Sequence, residues 1–160
     1  MAVEYSDEEI EGLVKERKPL PPDYRKRIEL RPKRGHKERE LDVVGANGNE
    51  FRLILRQSAS NPIDFSIILA YCPKNTNQVF RLRRCNGRSH EHTNRLEGNR
   101  FCDFHIHMAT ERYQEYGCDE DSHAETTDRF SDFHGALQCM LDDCGFESPD
   151  DGQMYIFKGV

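Results

Sequence analysis

Apolar and polar residues alternate in successive segments of the chain between residues 40 and 85. Neighbouring side chains of a strand point to opposite faces, so this alternation predicts strands that bury one face. The first two segments flank Asn47-Gly48, the dipeptide most typical of a tight hairpin. Because the turns are short, we expect an antiparallel meander. The predicted strands are residues 40–44, 50–55, 63–72, 78–85 and 101–108, with a last short edge strand at 153–157.

Two other segments carry helical patterns. Ser6 suits an N-cap and Glu9 completes a capping box, which predicts a helix that ends at a proline-rich stretch. A second, amphipathic helix is predicted from about Thr127 to Cys144, with Gly145 as its stop. We therefore predict an α+β fold, in which an antiparallel meander sheet of five to six strands carries the N-terminal helix and the C-terminal amphipathic helix on one face.

The domain organisation follows from these elements. We expect an N-terminal helix over residues 1–18, a basic arm or linker over residues 19–39, and a single α+β domain over residues 40–160. Residues 15–39 hold 11 Lys/Arg against 4 Asp/Glu. Such a run suits either an arm that contacts phosphates or a polar linker.

The net charge of -6 conceals a polarity along the chain. Residues 1–102 carry a balance of +5, and residues 103–160 carry a balance of -11. One face could therefore approach a polyanion such as RNA, while the acidic half could bind a basic protein partner.

The sequence argues against a membrane protein and against a secreted protein. No apolar run approaches the ~20 residues that a membrane span needs. The acidic N-terminus lacks the basic-then-apolar order of a secretory signal, so we expect a cytoplasmic protein. The six cysteines form no C-x-x-C pair and are expected to be free thiols. The alternative is a structural zinc site that draws on Cys118 and His123, or on Cys139 and Cys144.

Four of the seven histidines fall within residues 89–107. His92 lies in the first part of this stretch, two residues after His90. In the second part, alternation places Asp103, His105 and His107 on one face of the predicted strand. If the two parts pair across the intervening turn, imidazoles from both converge on the polar face of the sheet, which makes this stretch the candidate site.

One chemistry for this site is general acid–base cleavage of RNA. A neutral and a protonated imidazole can take a proton from a 2′-hydroxyl and give one to the leaving oxygen. Asn94 would orient an imidazole, and arginines of the preceding strand and its exit would hold the phosphate. The catalytic candidates are His92, His105, His107 and Asn94, and the phosphate-binding candidates are Arg81, Arg83 and Arg88, with Arg84 beside them.

The other chemistry is metal binding. His92, Asp103, His105 and His107 resemble the ligand sets of zinc and non-haem iron proteins. The nearby arginines count against a second positive centre, so no metal is favoured, although a divalent metal fits these residue types. A third interpretation is that the histidines are exposed on a polar sheet face, or that they only satisfy buried hydrogen bonds.

The order His92-Thr93-Asn94, Gly98, His105-Ile106-His107, Glu111 and Tyr116 resembles an uncharacterised family of small prokaryotic proteins. Members of that family carry a His-Thr-Asn turn followed by a His-x-His strand, and they are similar to toxins of toxin–antitoxin systems and to host-defence proteins. The likeness covers residues 79–117 and implies a ribonuclease or toxin activity.

Together these observations predict a small toxin-like ribonuclease that uses histidine acid–base chemistry on RNA phosphodiesters. The alternative is a non-catalytic interaction module, antitoxin-like or inhibitor-like, with an acidic C-terminal half. A further alternative is a metalloprotein with histidine ligands.

Overall fold

The computed structural model of the chain describes residues 3–149. The α+β class predicted from the sequence is confirmed, and the last predicted strand, residues 153–157, lies outside the described residues. In chain order, the elements of the described part are α1 (Asp7–Lys15), β1 (Lys18–Pro19), α2 (Tyr24–Arg27), β2 (Arg31–Lys33), β3 (His36–Val44), β4 (Glu50–Ser58), β5 (Phe65–Tyr71), β6 (Phe80–Asn86), β7 (His92–Thr93), β8 (Arg100–Phe101), β9 (His105–Met108), α3 (Glu111–Glu115), β10 (His123–Thr126), α4 (Phe133–Asp143) and β11 (Phe146–Glu147).

A seven-stranded antiparallel sheet organises the fold, in the order β10-β9-β6-β5-β4-β3-β2. Strands β3 to β6 form a meander, β9 returns to pair with β6, and β10 pairs with the other edge of β9. Between β6 and β9 the chain leaves this sheet and forms the small hairpin β7–β8. The sheet has more strands than the five to six predicted, because the short polar strands β2 and β10 lack a pattern of alternating apolar residues.

The predicted arm or linker, residues 19–39, ends inside the sheet. Strand β3 begins at His36, four residues before the predicted strand, and β2 pairs with its first residues. Gly35 makes the connecting turn with a φ of 71°, a conformation that glycine adopts without strain. All three residues of β2 are exposed, so this edge strand has no buried face that a sequence pattern could reveal.

The apolar face of the sheet forms the core together with two helices. Leu53, Leu55 and Ile67 are almost fully buried, and they belong to the same apolar cluster as residues of α1 and α4. The ring of Phe133 in α4 meets the ring of Phe65 in β5 edge-on, with 5.8 Å between centroids.

The two long helices begin with side-chain caps. Ser6 and Glu9 form the predicted capping box of α1. Helix α4 starts at Phe133, later than predicted, because Asp132 and not Thr127 accepts the first free amide, that of Gly135. None of the described helices is long and apolar enough to cross a membrane.

Lys18 joins the ends of α1 and α4 inside the core. Its side chain is fully buried, and its ammonium lies 2.7–2.9 Å from four main-chain carbonyls, which belong to Leu13, Val14, Glu16 and Cys144. Carbonyls at helix C-termini lack partners within the helix and attract cations. Burial lowers the pKa of Lys18 to about 8, so the group is still charged at pH 7.

Candidate metal centre

Three histidines meet on the face of the sheet opposite the core. His105 and His107 are on β9, and His92 approaches them from the hairpin β7–β8. Their ring centroids are 4.8–5.5 Å apart. One ring nitrogen from each histidine lies within 4.8 Å of the others, and this is the one such group of potential metal ligands in the part of the chain that the structure describes.

Asn94 fixes the hairpin against the edge of the sheet. Its side-chain oxygen accepts the amide hydrogen of Ala124 at 2.9 Å, and its side-chain nitrogen donates to the carbonyl of the same residue at 2.7 Å. These two bonds settle which end of the Asn94 amide is oxygen, because a main-chain amide can only donate and a carbonyl can only accept. The side chain is almost fully buried, at 2% exposure.

The same oxygen determines the tautomer of His92. The Nε2 of His92 lies 2.9 Å from the Asn94 oxygen, which can only accept, so this nitrogen carries the hydrogen. The lone pair of neutral His92 is therefore on Nδ1.

The tautomers of His105 and His107 are fixed by main-chain carbonyls. The Nδ1 of His105 lies 2.7 Å from the oxygen of Asp103, and the Nδ1 of His107 lies 2.8 Å from the oxygen of Asp121. Both Nδ1 atoms must donate, so the lone pair of each neutral ring is on Nε2. Across the described residues, no hydrogen bond reaches the lone-pair nitrogen of any of the three rings.

This arrangement is typical of histidines that bind a metal. Ligating histidines donate their other ring hydrogen to a carbonyl or carboxylate, which fixes the tautomer and the orientation of the ring. His92, His105 and His107 each make such a bond, and each keeps one free lone pair. These three residues can therefore hold a metal ion.

Burial keeps two of the rings neutral. His105 and His107 are 4% and 3% exposed. Loss of solvation lowers the pKa of His107 to about 2, and the positive charge of Arg84 acts in the same direction. Loss of solvation also lowers the pKa of His105. Neutral imidazole is the form that binds a metal.

A cavity of about 420 Å³ opens in front of the histidines. Arg84 and Arg56 contribute to its wall from the sheet, and His90 and Glu91 contribute from the loop between β6 and β7. Asp64 is a further acidic residue of the wall.

Arg84 is the arginine nearest to the histidines. It pairs with His107 across β6 and β9, on the same face of the sheet. Its Nε is 3.3 Å from a carboxylate oxygen of Asp121, yet neither atom has an aligned hydrogen-bond partner in the described part of the chain. Arg84 therefore brings a guanidinium with unused donors to the edge of the candidate centre.

The structure separates the three arginines predicted to bind phosphate. Arg81 lies within 3.4–3.8 Å of the carboxylates of Asp119, Glu120 and Asp121. Arg88 is exposed, and its guanidinium lies 6.0 Å from the ring centroid of Phe104. Neither residue forms part of the cavity wall at the histidines.

Arg83 is on the opposite face of the sheet from the histidines, so the structure does not bring this predicted phosphate-binding residue to the candidate centre. A β-bulge places Arg81 opposite Ala70 but Arg83 opposite Leu69, so the intervening residue has no partner. An extra residue reverses the alternation beyond it. Arg83 therefore shares the core face with Leu69, and Arg84 lies beside His107 on the face of the candidate centre.

Asp103 contributes its main chain and not its carboxylate. Strand β9 begins at His105, so Asp103 lies in the bend before the strand and the predicted alternation does not extend to it. The side chain of Asp103 is absent from the described ligand group, whereas its carbonyl orients His105.

The cysteines are free thiols, as predicted. No cysteine of the described residues belongs to a group arranged for a metal, so the alternative of a structural zinc at Cys118 and His123, or at Cys139 and Cys144, gains no support.

Two contributors to the site were not predicted from the sequence. Arg56 reaches the cavity through the register of β4. His90 belongs to the predicted histidine stretch and reaches the cavity through the loop between β6 and β7. The carbonyl of Asp121 holds His107 from a turn, and main-chain groups leave no signal in side-chain patterns. The sequence did indicate that Arg56 lies on the polar face of the sheet, because Phe51, Leu53 and Leu55 occupy the other face of β4.

Comparisons with known protein families, curated proteins and solved structures find no match to this chain.

Proposed function

We propose that the chain is a metal-dependent phosphodiesterase, with a zinc ion held by His92, His105 and His107. The observation that carries this proposal is a group of three rings with one nitrogen of each within 4.8 Å of the others, in which each ring is oriented by one hydrogen bond and keeps one lone pair without a partner among the described residues. Three imidazoles that need only satisfy a polar surface have no reason to leave all three lone pairs without a partner.

The ligand types favour zinc. Catalytic zinc sites use three protein ligands, often three histidines, and keep the fourth position open for water or substrate. The cavity in front of the three rings supplies room for that position.

Acid–base chemistry by the same histidines is less well supported. That mechanism needs one imidazole protonated near pH 7. Burial lowers the pKa of both His105 and His107, which disfavours the protonated form. Of the arginines that counted against a metal in the sequence, Arg81 faces the carboxylates of Asp119, Glu120 and Asp121, which offset its charge.

In this proposal the guanidinium of Arg84 binds the anionic substrate. A guanidinium with free donors binds a phosphate through two parallel hydrogen bonds. Placed beside the histidines, Arg84 would hold a non-bridging oxygen and stabilise the charge that develops there. Bound zinc lowers the pKa of water to about 7 and polarises a phosphoryl oxygen. In the overall reaction the oxygen of water joins phosphorus, the bond to the leaving oxygen breaks, and that oxygen takes a proton.

RNA is the substrate we propose, in line with the ribonuclease predicted from the sequence. The support is the open cavity with Arg84 and Arg56 in its wall, together with the basic balance of residues 1–102. A charged backbone makes nucleic-acid binding depend on such cations.

The test combines metal content with cleavage. Purified wild-type protein, His105→Ala and the control His134→Ala are dialysed against zinc and analysed by mass spectrometry for metal. His134 is an exposed histidine of α4 and serves as the matched control. We expect close to one zinc per chain in the wild type and the control, and a loss in His105→Ala that parallels the loss of cleavage of a labelled RNA.

Each other outcome identifies an alternative. Cleavage that persists without metal and in chelator would support the acid–base ribonuclease. Absence of both metal and cleavage would favour the interaction module. Equal zinc in all three proteins would contradict the proposed centre.

A further inference from the structure

A row of polar side chains crosses the sheet from the candidate metal centre. His105 of β9 pairs with Asn86 of β6, Asn86 pairs with Ser66 of β5, and Ser66 pairs with Arg56 of β4. Residues that are directly opposite one another lie on the same face. The row therefore forms a continuous polar floor, and all four of its residues belong to the wall of the same cavity.

The middle of the floor is held in place. The hydroxyl of Ser66 donates to the side-chain oxygen of Asn86 at 3.1 Å, which directs the amide nitrogen of Asn86 away from Ser66. That nitrogen can donate to a ligand lying on the floor.

Arg56 ends the row with an unused charge. Its side chain is exposed, and among the described residues it forms no ion pair or hydrogen bond through its guanidinium. Arg52, four residues earlier on the same strand and the same face, is paired with Asp42 at 2.8 Å and with Glu40 at 3.8 Å. Glu38 of β3 lies directly opposite Arg56, but its carboxylate is 2.7 Å from Lys33 and 3.5 Å from His36 and forms no ion pair with Arg56.

The distance between Arg56 and the candidate metal centre determines how long a ligand must be to contact both. Three strand spacings of ~4.8 Å place the Cα of Arg56 about 14 Å from the Cα of His105. A substrate with a single phosphate at the metal centre and Arg84 would not reach Arg56. A ligand that uses both ends of the floor must carry a second anionic group.

We propose that Arg56 forms a second phosphate subsite, so that the substrate of this site is a single-stranded oligonucleotide that crosses the sheet with one phosphate at Arg84 and a neighbouring phosphate at Arg56. This inference rests on the proposed phosphodiesterase function. A cavity of about 420 Å³ is the size of pocket that encloses a small ligand, so it admits a short part of a strand and excludes a duplex. Asp64 and Glu91 oppose the positive charge of the wall, but Glu91 already lies 3.7 Å from Arg100.

The experiment compares Arg56→Gln with Arg52→Gln. Both variants remove one positive charge from the same face of β4, and only Arg56 is in the cavity wall. Binding of a fluorescein-labelled 2′-O-methyl hexauridylate is followed by fluorescence anisotropy as salt is raised, with uridine monophosphate as a competing ligand that has one phosphate. Zinc content is measured on the same samples.

We expect Arg56→Gln to weaken hexauridylate binding about 10-fold and to reduce the slope of log K against log salt by about 0.7, the value for one phosphate contact on a single strand. Arg52→Gln should leave both nearly unchanged, and the affinity for uridine monophosphate should be the same in both variants.

Two results would overturn the second subsite. One is an equal loss in Arg56→Gln and Arg52→Gln, and the other is a wild-type protein that binds the monophosphate as tightly as the hexamer. Failure of the proposed function is separate, because it would show as missing zinc in the wild type whatever the two arginine variants do.

Discussion

Two polar clusters are buried on opposite faces of one sheet, and they differ in whether all of their hydrogen-bonding groups have partners. On the core face, the ammonium of Lys18 has four carbonyls within 2.7–2.9 Å and lies over the ring of Phe51, 4.4 Å from its centroid. On the other face, three imidazoles lie together with one nitrogen of each within 4.8 Å of the others, and among the described residues each ring has a hydrogen bond on one nitrogen only.

This difference in hydrogen bonding distinguishes a cluster that stabilises the fold from a cluster that can bind a ligand. A buried polar group costs free energy unless it has a partner, so a cluster that is fully paired needs nothing else to explain it. A cluster that keeps lone pairs without a partner among the described residues can still accept a ligand. Lys18 therefore stabilises the fold, and the histidines are available for the proposed metal ion.

The largest expected effect is a loss of stability on replacement of Lys18, the centre of the fully paired cluster. Lys18→Met leaves four carbonyls without their donor, and the loss of partners at about 1–3 kcal/mol each exceeds the gain from not burying a charge. We expect the free energy of unfolding in urea to fall by about 3 kcal/mol, with or without zinc.

Lys15→Met is the control for this prediction. Lys15 is exposed and pairs with Glu11 one turn away, so its loss should leave the free energy of unfolding nearly unchanged. Equal stability of the Lys18 and Lys15 variants would show that the buried ammonium is not what holds the two helix ends.

A smaller effect, confined to activity, is expected at Arg84. Arg84→Gln removes the guanidinium beside His107 and should lower kcat/KM for RNA by about 10², the usual scale for losing one group that stabilises developing charge. Zinc content should be unchanged. Arg83→Gln, which alters the neighbouring residue on the core face, should leave kcat/KM of the folded protein unchanged. A larger loss of kcat/KM in Arg83→Gln than in Arg84→Gln would contradict the exchange of faces that the bulge produces.

The smallest expected effect concerns the orientation of His92. Asn94→Ala removes the oxygen that accepts from Nε2, and loss of such an outer partner weakens metal binding about 10- to 100-fold. Asn94→Asp keeps that acceptor and should retain most of the zinc affinity, although it loses the donation to Ala124. Competition with a coloured chelator measures both, and equal affinity of the alanine variant and wild type would remove Asn94 from the site.

The sequence was sufficient to predict the parts that depend on alternation. The meander and the shared face of His105 and His107 follow from apolar residues at every second position. His92 was expected beside them on the condition that the two histidine segments pair with each other, whereas His92 pairs with Phe101 in the separate hairpin β7–β8.

What could not be predicted depends on single residues and on main-chain atoms. One unpaired residue in β6 exchanges the faces of Arg83 and Arg84, and no local pattern distinguishes that bulge from regular alternation. The carbonyls of Asp103 and Asp121 set two tautomers, but every residue has a carbonyl, so their use becomes visible only in the folded chain. Strand β2 was missed because pairing at an edge requires no buried side chain.

The most direct test of the metal centre is X-ray absorption at the zinc edge of the zinc-loaded protein. The account predicts nitrogen neighbours at about 2.0–2.1 Å, with the outer-shell scattering of three imidazole rings. A sulfur shell at about 2.3 Å would assign the zinc to cysteines instead, and fewer than three imidazoles would contradict the centre formed by His92, His105 and His107.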